Sequence, residues 1–107
     1  MDSVKVCDVK QLNEDVTVKL LVPELRLEMR DSFAAEIRAA VSIGTGTVTF
    51  DLTSLERIFS MFLGVLMDGI WQAKKNGRSV RIVLRPDMYE HFREMGIQNA
   101  AELVSRE

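Results

Sequence analysis

Few residues in this chain carry side chains from which hydrolytic chemistry is built, and their setting argues against it. His91 is the only histidine, so any Ser-His-Asp arrangement would have to use it. It lies in "MYEHFREM", with Phe92 and Met95 at helical spacing, where a partly buried structural histidine is expected. Ser60, in "ERIFSMFLG", stands where an apolar helix should begin. A hydroxyl there can cap the helix by accepting an orphan backbone N–H, or serve as the target of chemistry done by another protein. The "GTG" at 44–46 lacks the Lys-Ser/Thr of a phosphate loop and leads into a strand rather than a helix; a tight turn accounts for it. Asp8, Glu14, Asp15, Glu24, Glu28 and Asp31 are scattered without metal-ligand spacing. The single cysteine, Cys7, excludes an internal disulfide and every multi-cysteine zinc pattern, and is expected to pack as a small apolar group on the first strand. The chain reads as a non-enzyme that needs no cofactor and no metal.

Charge narrows the binding classes. With 14 basic and 16 acidic residues the net charge is −2, too weak a field to attract nucleic acid or an anionic membrane. Lys74, Lys75, Arg78 and Arg81 cluster, but Asp68, Glu90 and Glu94 dilute them and no aromatic residues are interleaved as a single-strand platform requires; a solvated face is expected. The longest apolar run, Met61 to Met67, is broken by Gly64 and is far too short to span a bilayer. The start "MDSVKVCDVK" has no basic segment followed by an apolar core. A cytoplasmic protein without membrane insertion is expected.

The elements that must position these residues alternate in period. In "VTVKLLV", Val16, Val18, Leu20 and Val22 share one face; "TVTFDL" sets Val48, Phe50 and Leu52 together, and "SVRIVL" sets Val80, Ile82 and Leu84 together. This is the period of strands with one buried face. "VKVCDV" at 4–9 is a weaker strand, joined to the next through "LNED". Between strands the period becomes helical. "RDSFAAEIRAAV" places Phe33, Ile37 and Ala40 on one side, with Asp31 or Ser32 as N-cap. Ser60 to Asn76 predicts a second helix burying Leu63, Leu66, Met67 and Ile70, stopped by Gly77. "RPDMYEHFREMG" predicts a third, with Pro86 near its start. The order is β-β-α-β-α-β-α, followed by "IQNAAELVSRE", which the pattern leaves unassigned. At 107 residues the chain is expected to form one domain over 1–107. Two β-α-β crossovers require parallel strands, and strands that alternate in polarity leave one sheet face without helices. The expected architecture is an α/β sandwich, a mixed sheet of four or five strands with helices on one face.

The string "VTFDLTSLERIFSMFLGVL", followed by "AKKNGRSVRIVL" and "MYEHFREMGI", resembles the STAS domain, the fold of anti-sigma factor antagonists and of the cytoplasmic part of sulphate transporters. The resemblance covers about residues 15–98. Phe59-Ser60-Met61-Phe62-Leu63-Gly64 stands at the family's Asp-Ser-Ser/Thr-Gly-Leu-Gly segment, so Ser60 matches the serine that a partner kinase phosphorylates in the antagonists. Leu63 and Gly64 keep the pattern. Phe59 replaces its acid, Met61 its second hydroxyl and Phe62 its first glycine; upstream, Pro23 replaces the usual glycine and Arg26 the usual aspartate. The resemblance implies a non-catalytic protein-binding module in bacterial partner switching or transcription regulation. Its implied partner is a serine-kinase-type anti-sigma factor, held through the loop before the second helix and that helix's first turns. The degraded motif favours a second reading, a STAS-like scaffold or assembly subunit, self-assembling or serving a signalling or transporter complex, without a phosphorylation switch.

Physical reading of the same residues leaves two alternatives at Ser60, helix cap or phosphoacceptor. It also leaves two for the apolar surplus on the second helix. Met61, Phe62 and Val65 either fill space beneath a neighbouring segment or, with Phe59 and Arg26, form an exposed partner-binding patch. If the patch exists, at least one of the Phe59 and Phe62 rings is exposed.

Overall fold

The computed structural model describes residues 5–107, so Val4, at the start of the expected first strand, lies outside the described residues. The elements are β1 (Cys7–Leu12), β2 (Asp15–Leu20), α1 (Arg30–Ala40), β3 (Val48–Asp51), α2 (Ser60–Lys75), β4 (Val80–Leu84), α3 (Pro86–Glu94) and β5 (Glu102–Ser105), with short 3-10 turns at Leu27–Met29 and Ile97–Asn99. The sheet order is β1-β2-β3-β4-β5. β1 pairs antiparallel with β2, and β2 to β5 are parallel. The expected order and mixed sheet are found, with a fifth strand in the unassigned segment. "ELVS" gave no signal because its two apolar residues are adjacent and therefore face opposite ways, each only half-buried.

Register builds the core. Val18, Phe50 and Ile82 stand side by side across β2, β3 and β4, all buried. Their neighbours Thr17, Thr49 and Arg81 face the other way. Three successive crossovers step across the sheet in one direction, and their common right-handedness puts α1, α2 and α3 on the same face. Val22 lies past the end of β2 and is half-buried. The "LNED" hairpin turns on Asn13, whose φ of 55° is one that asparagine tolerates.

The second and third helices begin where expected, at Ser60 and Pro86; the departures are the start of α1 and which residues α2 and α3 bury. α1 buries Phe33, Ile37 and Ala40 as expected, but begins at Arg30, with Met29 at the cap position and no side-chain cap. The 3-10 turn of Leu27–Met29 feeds the helix directly, so neither Asp31 nor Ser32 caps it. α2 buries Phe62, Leu66, Gly69, Ile70 and Ala73, while Leu63 and Met67 are half-buried. The inward stripe is centred on small residues because α1 packs hard against them: a Cβ at Gly69 would overlap Ile37 Cγ2. In α3, Met88 and Phe92 face the core. His91 and Met95 fall on the adjoining face and are exposed, so the partly buried histidine expected from the spacing is corrected to a surface one.

Two polar side chains tie the layers together. Arg78, expected on a solvated face, is buried at 5% exposure. Its Nε donates to Gly46 O at 2.8 Å, Nη1 to Val41 O at 3.0 Å and Nη2 to Glu14 O at 3.4 Å. One guanidinium thus satisfies carbonyls from the β1–β2 turn and from the α1–β3 connection. Gly44 completes this junction with φ +70°, and a Cβ there would overlap Glu14 O; the turn expected at "GTG" is found. Glu36 of α1 accepts the backbone N–H groups of Val6 at 3.1 Å and Cys7 at 3.0 Å. Cys7 is buried on β1 as expected. Burial, and then the nearby Glu36 carboxylate, push its thiol up to about 12, so it stays a neutral thiol.

Candidate functional site

Two loops meet where the parallel strands β2 and β3 end, the end of an open α/β sheet at which ligands characteristically bind. After Leu20 the chain runs outward through "LVPELR"; after Asp51 it runs through "LTSLERIF" into α2. Glu56 N–H donates to Pro23 O at 2.8 Å, and Glu24 and Arg57 form a parallel bridge. Leu25 and Leu55 are buried, at 1% and 0% exposure, so each loop is pinned to the core by one leucine and to the other by backbone hydrogen bonds. Asp51 Oδ1 accepts Thr53 N–H at 3.1 Å and Thr53 Oγ1–H at 2.7 Å, which fixes the turn leaving β3.

The helix start follows from these constraints. Phe59 is extended, with φ −88° and ψ 152°, and occupies the N-cap position. Its carbonyl accepts the N–H groups of Phe62 at 3.0 Å and Leu63 at 3.1 Å. Ser60 is the first helical residue, exposed, and no side chain caps the helix. The cap reading of Ser60 is therefore corrected: a hydroxyl at the first helical position has already passed the place from which it could accept an orphan N–H of its own first turn.

Between the two loops and the first turn of α2 lies a groove of about 260 Å³ lined by Glu24, Leu25, Arg26, Leu27, Phe59, Met61 and Phe62. Its surface is apolar, with Leu27 70%, Phe59 51% and Met61 46% exposed. Four of the residues singled out in the sequence, Arg26, Phe59, Met61 and Phe62, converge here. Phe59 is the exposed ring. Phe62 is 3% exposed and packs edge-on against Phe33 with centroids 6.2 Å apart, so it forms the floor rather than the surface. Val65 lies outside this groove; half-buried, it lines a second depression between α1 and α2 with Ala34, Ile37 and Gly69. Leu27 was missed by the sequence reading. It sits exposed in the 3-10 turn before α1, and only the meeting of two distant loops makes that position part of a site.

Among the described residues no group of three or more His, Cys, Asp or Glu side chains could hold a metal. Every buried side-chain nitrogen or oxygen among them has a hydrogen-bond partner. No described helix is long and apolar enough to cross a membrane. What the groove offers is apolar surface rimmed by Arg26 and Glu24.

Neither a protein-family model nor a curated protein matches the sequence, but solved structures match the fold. A STAS domain protein from Planctomyces limnophilus superposes with a TM-score of 0.80 at 18% identity, over 94% of this chain and 91% of that one. The chain has the STAS fold. An anti-sigma factor antagonist from Mycobacterium paratuberculosis superposes with a TM-score of 0.78 at 18% identity, over 94% of this chain and 85% of that one. The antagonist SpoIIAA in its unphosphorylated form gives a TM-score of 0.70 at 16% identity, over 94% and 89% of the two chains. Within this STAS fold the groove lies at the loops that follow β2 and β3, and Ser60 stands at its edge.

Proposed function

We propose that this chain is a non-catalytic protein-binding module of the anti-sigma factor antagonist kind, one domain over residues 1–107. It would act in the bacterial cytoplasm in partner-switching signalling or transcription regulation, with a serine-kinase-type anti-sigma factor as its partner. The observation that carries the reading is the exposed apolar groove of Leu27, Phe59 and Met61, in a fold whose solved neighbours include proteins named as anti-sigma factor antagonists. Apolar side chains held out by a rigid loop junction gain most when another protein removes them from water. Arg26 contributes a rim charge and Phe62 supports the surface from below, while Val65, named with them in the sequence, lies in the separate depression between α1 and α2.

The surroundings of Ser60 favour a second reading, an assembly or scaffold subunit without a phosphorylation switch, self-associating or held in a larger complex. Ser60 is exposed and available, but Phe59 and Arg26 stand where the antagonists carry acids, and a phosphoryl group would bring about −1.5 to −2 charges beside the Phe59 ring. Both readings use the same groove and differ in its occupant.

The test is calorimetric titration of the protein with each purified kinase-type anti-sigma factor of the same genome, with and without ATP, followed by intact mass. Binding that Phe59→Ala weakens at least tenfold, about 1.4 kcal/mol, supports the partner reading. Phosphate on Ser60 makes it a switch; binding without phosphate leaves a constitutive partner. If no kinase-type protein binds and the protein sediments as an oligomer that Phe59→Ala dissociates, the scaffold reading replaces it.

A further inference from the structure

The five-stranded sheet has two edges, and they are finished differently. At β1 the N–H of Cys7 faces away from β2, because its neighbour Val6 is the residue that accepts Leu21 N–H, at 2.9 Å. The Glu36 carboxylate takes that outward N–H at 3.0 Å, in the place that a further strand's carbonyl would need. At β5 nothing corresponds. Arg106 N–H donates to Leu84 O at 2.8 Å, and the register sets Val104 opposite Val83 and Glu102 opposite Arg81. Glu102, Val104 and Arg106 therefore make the ladder with β4, and the N–H and C=O groups of Leu103 and Ser105 point outward. These groups have no hydrogen-bond partner among the described residues. An edge left in this state is a template for another strand.

The side chains of β5 specify which strand. Glu102, Val104 and Arg106 share the helix-free face of the sheet with Arg81 and Val83. Val104 is half-buried beside Val83, itself 3% exposed, in a depression that Arg81, Glu102 and Arg106 also line. Glu102 pairs with Arg81 at 2.7 Å, whereas Arg106 has no ion pair among the described residues. The face thus carries an acid, a valine and a base in turn, a pattern that becomes its own complement when the strand is reversed.

We propose that two copies of this chain pair through their β5 edges, antiparallel about a two-fold axis beside Val104, joining both sheets into one. The same edge serves on both copies, as a closed two-fold contact requires. Each Leu103 exchanges N–H···O=C bonds with the partner copy's Ser105, which satisfies the outward groups of both strands. The two Val104 residues form the central non-hydrogen-bonded pair, about 4.5 Å apart at Cα, and continue the Val83–Val104 contact across the junction. Each Glu102 then lies between its own Arg81 and the partner copy's Arg106. Sliding the strands by two residues, the smallest step that keeps each face on its own side, sets Glu102 or Arg106 opposite Val104 and loses both matches. This edge shares no residue with the groove, so the inference stands whatever the groove binds.

Sedimentation of the full chain from about 1 μM to about 1 mM, which covers Kd values over about three decades, should show a monomer–dimer equilibrium. Ser105→Pro should abolish it with the melting temperature nearly unchanged, because the lost N–H lies outside the β4 ladder and an edge strand tolerates proline there. Glu102→Arg and Arg106→Glu should each weaken self-association at least tenfold, since each sets like charges opposite one another. Mixed in equal amounts, these two variants should form a heterodimer, each supplying the charge the other lacks. A wild type that stays monomeric throughout, a dimer that Ser105→Pro leaves intact, or a mixture that stays monomeric overturns the proposal. A dimer that Phe59→Ala dissociates places the contact at the groove and overturns it as well. None of these results bears on the titration with kinase-type proteins.

Discussion

Two phenylalanines three residues apart in sequence have opposite roles, and substitution should separate them. Phe62 is buried against Phe33, so Phe62→Ala should cost about 3–5 kcal/mol in urea unfolding. Phe59, with 51% of its surface exposed, should change stability by no more than about 0.5 kcal/mol when made alanine and affect association instead. Ser60 makes no capping bond, and Ser60→Ala should likewise shift stability by less than about 0.5 kcal/mol; a loss near 1–2 kcal/mol would restore it as a cap. Cys7 should resist alkylation at pH 8 unless the chain unfolds. Because its thiol is raised from 9.0 to about 12, the unfolded chain loses that proton first as pH rises. Its contribution to stability is present below about pH 9 and declines toward pH 12. Cys7→Ser should flatten that decline in pH-dependent unfolding.

At the scale of elements, the end of the molecule opposite the groove depends on one arginine. Arg78 donates to carbonyls of Val41, Gly46 and Glu14. Arg78→Met should cost about 2–4 kcal/mol, since each orphaned buried acceptor costs roughly 1–3 kcal/mol. Arg78→Lys should recover only part, because one ammonium cannot reproduce a fork of donors. What the sequence made legible follows from periodicity. Strand alternation gave β2, β3 and β4 their faces, and "KKNG" correctly ended α2. Arg78 looked like surface because its neighbours Lys74, Lys75 and Arg81 are surface, and nothing local reveals that three carbonyls converge on it. Gly69 escaped for a related reason: counting apolar residues gives glycine no weight, so the buried stripe of α2 was centred too near Leu63. The groove was half legible. Phe59 and Met61 stood out as surplus apolar residues, but Leu27 comes from a loop more than 30 positions away.

For the molecule as a whole, the sheet has one bare face and its strands lie side by side in the order in which they occur in the chain. That order has a consequence during synthesis. Each strand, as it leaves the ribosome, finds its neighbour already in place on the side it must join, and no gap waits for a later segment to fill it. Three strands with a helix are about the least that can hold together, so β1, β2, α1 and β3 can form the first durable piece, with β4 and β5 added by accretion. Translational-arrest force measurements on chains of increasing length should therefore register tension in steps, beginning soon after β3 clears the exit tunnel. A single late pull, after β5 has emerged, would mean that the sheet assembles only as a whole. Growth by accretion would also give α2 its mould early, because the Ile37 side chain that fits against Gly69 is in place before α2 is made.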